Sequence, residues 1–317
     1  YYSYQAFFSR IGRKKSPVGR PDEDRIFHNR GNASARNPRS GEALSPAGLG
    51  SKPLALAADI DPRQALVDWM VNPENPFFAK ALVNRYWKHF FGRGLVDPED
   101  DMRVTNPACN PELLEGLAKS FIDSGFDLKQ LVRTICRSRV YQLSSIPNEH
   151  NVRDKQNFSR FYPRRLNAEV LYDALNQVTG AKPGFGGVPA DMGAVQLPDS
   201  GQKNYFLTVF GKPMADSACE CERSNDANLA QSLHLLNSKE VLGKISAGNG
   251  RAGVLSKDQK RPDQDKLREL YFWFYSRGPQ SEEVNLALAH LGKGEKKAAY
   301  EDIIWALLNT KEFLFNH

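Results

Sequence analysis

No stretch of the 317 residues approaches the roughly 18 consecutive apolar residues of a membrane-crossing helix, and no secretory signal is visible. The sequence therefore predicts no membrane span within this chain. Cysteine is scarce: there are four, with a single C-x-C pair and no C-x-x-C. Haem attachment through a C-x-x-C-H site is excluded, and a zinc site has no second cysteine pair to draw on. The hydrolase patterns G-x-S-x-G and H-E-x-x-H are missing. The glycines from 184 to 187 lack the following Lys and Ser/Thr of a phosphate loop. The acidic run Asp97, Glu99, Asp100 and Asp101 has neither the alternating oxygen ligands nor the central Gly of a calcium loop. Carboxylates are too dispersed for sequence to single out an acid/base pair.

What is present is a globular composition, 40% hydrophobic and 25% charged. The net charge of +6 invites a nucleic-acid reading, but the basic residues are mixed with acids through the helical segments and no nucleic-acid motif occurs. The densest basic cluster, Arg10, Arg13, Lys14, Lys15 and Arg20, lies in a Gly/Pro/Ser-rich segment and reads as a solvated linker. The chain opens on Tyr1-Tyr2-Ser3 rather than Met, as expected of the back part of a longer polypeptide.

Helix signals are densest from Asn75 to Tyr141. Asn75-Pro76 offers a cap and a first helical position. Phe78, Leu82, Tyr86 and Phe90 recur every four residues, with Val83, Trp87 and Phe91 widening the stripe and Gly92 closing it. This predicts a core helix on which Arg85 and His89 border the apolar face. The downstream acidic run is expected to hold both, with a ligand or catalytic role as the alternative. Helices from Asn110-Pro111 to Gly125 and from Asp127 to Tyr141 form a predicted hairpin.

Further helices are expected from Asp61-Pro62 through Leu66, Trp69 and Met70, from Asn167 to Gly180, from Ser224 through Leu229, Leu233 and Leu236, and in three C-terminal segments beginning at Asp263, Ser281 and Lys296. Within 181–212, glycines break helical periodicity, and Ala194 to Leu197 and Tyr205 to Phe210 predict a small β-hairpin. Leu131, Val132, Ile135, Cys136, Ser138 and Tyr141 match Ile303, Ile304, Leu307, Leu308, Thr310 and Phe313, each 172 positions later, as a diverged hairpin repeat would. The expected fold is mainly α, an irregular multi-helix domain built on helical hairpins. Residues 1–60 are read as the tail of an upstream domain plus an extended linker, and 61–317 as the helical domain carrying the insertion.

Chemistry candidates centre on Cys219-Glu220-Cys221-Glu222-Arg223. Two sulfurs beside a helix start admit three states: a strained, reducible disulfide, a metal site completed by His234, Cys109 or Cys136, or free thiols. Glu220, Glu222 and Arg223 suit either a polar ligand or local capping. His234 reads as a satisfied buried histidine, with a ligand role as the alternative.

Residues 75–103, 110–145, 160–175 and 210–237, with the terminal IIWALLNTKEFLFNH, resemble the C-terminal uncharacterised domain of large Planctomycete-type multidomain proteins that carry cytochrome-c-like domains upstream. The likeness runs from about Asp61 to His317. Counterparts of Asn84, Arg85, Trp87, His89, Gly92, Gly94, Cys219, Cys221, Glu222, Arg223, His234 and Asn237 belong to its recurring motifs, whereas Cys109 departs from them. The resemblance implies an extracytoplasmic, periplasmic protein, an oxidising setting that favours a Cys219–Cys221 bridge, and a haem c confined to the upstream part, with no cofactor in this chain. Its expected partners are those upstream domains and a polysaccharide or another extracytoplasmic protein. Two functions follow: a non-catalytic binding or structural module, or an enzyme, either redox-active through Cys219/Cys221 or hydrolysing extracellular polysaccharide.

Overall fold

In the computed structural model the described residues are 1–15, 24–198, 202–213 and 229–316. Side-chain caps set most helix starts. Asp61 accepts from the amide of Arg63 to open α2 (Pro62–Met70). The oxygen of Asn75 accepts from the Phe77 and Phe78 amides ahead of α3 (Phe78–Phe91), while its Nδ2 donates to the Trp69 carbonyl. Asn110 caps α4 (Pro111–Asp123), and Asp127 caps α5 (Leu128–Arg137). Before these helices lie α1 (Tyr2–Gln5), an antiparallel pair of β1 (Ile11–Lys15) with β2 (Asp24–His28), and a second pair of β3 (Ala35–Arg36) with β4 (Ala43–Leu44).

Two compact units result, Tyr1–Phe161 and Tyr162–His317. The N-terminal residues pack into the first unit: Phe7 is fully buried and the Tyr4 ring meets Trp69 edge-on at 6.3 Å. Helix α3 lies at the centre of this unit, against α4 and α5. Its buried ridge is Ala79, Val83, Trp87 and Phe91, whereas Phe78, Leu82, Tyr86 and Phe90 are half-buried. The face is turned by one residue from the predicted stripe. The cause is the cover over Trp87 and Phe91, where Phe158 approaches the two rings at 5.4 and 5.6 Å and Tyr141 meets Phe91 at 6.0 Å. Such a cover comes from distant sequence and leaves no trace in the periodicity of α3.

The second unit contains β5 (Arg164–Arg165), α6 (Ala168–Thr179), α7 (Tyr205–Val209), α8 (Leu229–Asn237), α9 (Lys239–Ile245) and α10 (Arg251–Lys257). It continues through α11 (Asp263–Tyr275), α12 (Ser281–Leu291), α13 (Lys296–Leu308), α14 (Lys311–Leu314) and β6 (Phe315–Asn316), which pairs with β5. Leu171 and Leu175 of α6, Leu267 and Leu270 of α11, and Tyr300, Ile304 and Leu308 of α13 form its core. The fold is mainly helical with small antiparallel strand pairs, none of them among the described residues of the expected insertion. There, Ala194–Gln196 is a single 3-10 turn and Tyr205–Val209 is helical. Asn204 caps the latter by accepting from the Leu207 amide, and Phe206 and Leu207 are both wholly buried, so capping and two-sided burial override the β propensity of the run.

The ends of α5 and α13 are built alike. Ser138 Oγ donates to the Ile135 carbonyl at 2.7 Å and accepts from the Tyr141 amide at 3.3 Å. Thr310 Oγ1 donates to the Leu307 carbonyl at 2.9 Å and accepts from the Phe313 amide at 3.2 Å. These are the aligned pairs of the sequence repeat, now with matching local hydrogen bonds.

Candidate functional site

In the first unit, the polar residues of α3 are engaged by the segment that follows it. Asn84, fully buried, donates to the carbonyls of Val96 and Glu99 and accepts from the Val96 amide. Gly94 lies under this clamp: a Cβ there would sit 2.2 Å from the Val96 carbonyl oxygen and 2.9 Å from the Asn84 amide. Arg85 is exposed and forms a two-pronged pair with Asp100 at 3.0 and 2.8 Å. Lys88 holds Glu99, and that contact keeps the Glu99 carboxyl below its ordinary range. Thus the acidic run does hold Arg85. His89, expected at the border of the apolar face, is exposed, with its ring against Phe90 at 5.2 Å.

In the second unit, α6, α7, α8 and α9 bring a set of polar side chains together. His234, on α8, is 9% exposed and surrounded by the rings of Tyr205, Phe206 and Phe210 at 5.3, 5.5 and 6.4 Å. Its Nε2 stands 3.7 Å from Glu240 Oε2, longer than a hydrogen bond, and has no hydrogen-bond partner among the described residues. Burial lowers the imidazole pKa and the Glu240 carboxylate partly offsets this, so His234 is neutral near pH 7.

Tyr172, on α6, donates its hydroxyl to the Pro183 carbonyl at 2.8 Å. Burial, reinforced by Glu240, keeps that hydroxyl protonated, while Asn204 acts in the opposite sense. One turn beyond Glu240, Lys244 lies over the Tyr172 ring at 4.8 Å and donates to Asn176 Oδ1 at 2.7 Å and the Lys182 carbonyl at 3.3 Å. Burial lowers its pKa, against the pull of Glu240. Asn176 is 4% exposed, and its Nδ2 finds no acceptor among the described residues.

The predicted residues therefore divide. Arg85 and His89 belong to the first unit, and His234 and Asn237 to the second, with Asn237 exposed at the end of α8. Cys219, Glu220, Cys221, Glu222 and Arg223, together with the expected Ser224 cap, lie outside the described residues. Cys109 and Cys136 are free thiols, each with its pKa pushed up by burial. Among the described residues no three His, Cys, Asp or Glu side chains come together in a metal-binding group.

Tyr172, Asn204, Glu240 and Lys244 escaped the sequence reading. The one local signal was the i,i+4 spacing of Glu240 and Lys244 on a short helix. Chemically the cluster offers a carboxylate acceptor, a neutral imidazole, a protonated phenol and an ammonium group, all partly shielded from water.

Searches of curated proteins and of solved structures return no match to this chain. A family model, PSD1, described as a protein of unknown function (DUF1553), matches residues 62–291, spanning the polar helices of both units, and the chain belongs to that family.

Proposed function

We propose that this chain is a non-catalytic binding module of an extracytoplasmic, cytochrome-linked multidomain protein, holding it to a polysaccharide or to a neighbouring protein. Any haem c resides in domains upstream. The observation that supports this reading most directly is the engagement of Asn84, Arg85 and Lys88 with Val96, Asp100 and Glu99: the polar residues of the most distinctive motif hold a loop in shape instead of facing a cavity. A rigidly held surface segment suits recognition, because little ordering cost remains at binding.

The Glu240–His234 approach favours a second reading, a hydrolase acting on the same polymers, in which the carboxylate or the neutral imidazole would take a proton from the attacking water and pass it to the departing glycosidic oxygen. The test is co-sedimentation of the chain with cellulose, chitin and peptidoglycan, with released reducing sugar measured in the supernatant. Pelleting without sugar release is the expected result. Sugar release that disappears in Glu240→Gln would establish the hydrolase instead, and failure to pellet with any polymer would overturn the polysaccharide partner.

A further inference from the structure

We infer that the face formed by Tyr205, His234 and Glu240 is a subsite for one neutral, hydroxyl-rich ring, the pyranose unit of a glycan. The inference rests on the polysaccharide arm of the proposed function and gives it a location.

Tyr205 is 67% exposed on a five-residue helix whose next two residues, Phe206 and Leu207, are completely buried. An exposed ring on such a mount loses little freedom when it is covered. Its neighbour is His234, at 5.3 Å between ring centroids and an interplanar angle of 56°. The Nε2 of His234 is buried, has no hydrogen-bond partner among the described residues, and is just too far from Glu240 to bond to it. A buried polar atom without a partner is costly, and a hydroxyl placed between Nε2 and Oε2 would satisfy both groups by donating its one proton to the Glu240 carboxylate and accepting from Nε2–H, in the imidazole tautomer protonated there. The Glu240 side chain keeps 29% of its surface accessible, which leaves an approach for that hydroxyl.

The same groups disfavour other ligands. An anion would meet the Glu240 carboxylate, while the nearby cation, Lys244, is already engaged by Asn176 and the Lys182 carbonyl. A purely apolar ligand would leave the imidazole nitrogen unsatisfied and strip water from the carboxylate. A sugar ring presents what the face lacks: a C–H surface for the electron-rich face of Tyr205 and hydroxyls at its rim for Glu240 and His234.

Binding of soluble cellohexaose and chitohexaose, followed by saturation-transfer NMR and titration calorimetry on the full chain, tests this. At least one hexasaccharide should bind, Tyr205→Ala should weaken it by about tenfold or more, and Tyr205→Phe should retain it within about twofold. Glu240→Gln should weaken binding with circular dichroism unchanged, whereas Trp273→Ala, an exposed aromatic elsewhere in the unit, should bind as the parent does. Undiminished binding by Tyr205→Ala and Glu240→Gln would overturn the location while leaving the binding module intact. Failure of the parent chain to bind any saccharide would overturn the subsite and the polysaccharide partner together. Competition by glycerol at hexasaccharide concentrations would replace the glycan with a small polyol.

Discussion

The side chain of Asn84 and the backbone of Val96 form a closed pair: the amide nitrogen donates to the Val96 carbonyl at 2.8 Å, and the amide oxygen accepts from the Val96 N–H at 2.9 Å. The side chain thereby does for residue 96 what a neighbouring strand would do. Replacing Asn84 with Ala leaves the buried Val96 amide and carbonyl unpaired, and the expected loss is about 2–4 kcal/mol in urea unfolding. Gly94→Ala should behave similarly, since its Cβ would strike backbone oxygen rather than a mobile side chain.

Arg85 makes the opposite prediction. Its pair with Asp100 is well formed but lies in water, with side chains 46% and 54% accessible. Arg85→Ala should change stability by less than about 1 kcal/mol. Measured beside Asn84→Ala, it separates a structural motif residue from one whose value lies in what it presents. If Arg85→Ala leaves stability unchanged and also abolishes polymer pelleting, Arg85 is a contact residue.

Lys266 is 1% exposed, with its ammonium 3.0 Å from Asp263, which also accepts from Lys296 and from the Tyr300 hydroxyl. Lys296 first, then Lys266 and Tyr300, hold the Asp263 carboxyl at about 2, below its ordinary 3.8. Because the folded-state value is depressed, its contribution is complete above the ordinary value and is lost as pH falls from there towards 2. Asp263→Asn leaves a buried ammonium without its counter-charge and should cost about 3–5 kcal/mol, whereas Lys266→Met, which removes the buried charge itself, should be tolerated far better. Chemical unfolding of the two variants at neutral pH decides the point.

His234 titrates below the ordinary imidazole value because it is buried. The unfolded chain takes up its proton near 6.5 while the folded chain resists it, so this histidine penalises folding increasingly as pH drops below that value. The melting temperature should fall between pH 7 and pH 5, before most carboxylates protonate. In His234→Gln that part of the decline should flatten; an unchanged profile would show that the imidazole is not held neutral by the fold.

Of the four cysteines, Cys109 and Cys136 are free. The proposed extracytoplasmic setting predicts that Cys219 and Cys221 are joined. Thiol titration of the unfolded, unreduced chain should then count two reactive groups, rising to four after reduction, with metal content measured in parallel. Four groups before reduction would eliminate the bridge.

Local rules in the sequence located most helices. Asp61, Asn110 and Asp127 open helices where their capping side chains predicted, α3 begins two residues beyond the expected Pro76 with Asn75 accepting from the Phe77 and Phe78 amides ahead of it, and Gly92 ends α3 in the left-handed conformation. What local rules missed depends on distant partners. Phe158 and Tyr141 decide which side of α3 is inward, and the burial of Phe206 and Leu207 makes a helix of a run with strand-like composition. The same limit hid the polar cluster: His234 was visible as a histidine among leucines, but nothing near it in sequence placed Tyr172 beside Glu240. Pairing of Arg85 with the acidic run was legible because the two are separated by only a short loop.

The hydroxyls of Ser138 and Thr310 carry one last implication. Each terminates its helix by bonding back to the carbonyl three residues earlier and capturing the amide three residues later. At Thr310 the stop is also tied to packing, because the Tyr275 hydroxyl lies 2.9 Å from Thr310 Oγ1 and donates to the Leu307 carbonyl at 3.2 Å. Moving the Ser138 or Thr310 hydroxyl by one position would reset where the chain leaves the helix and rotate everything beyond it, so a residue inserted just ahead of either position should carry the stop out of register with the helix's buried side chains.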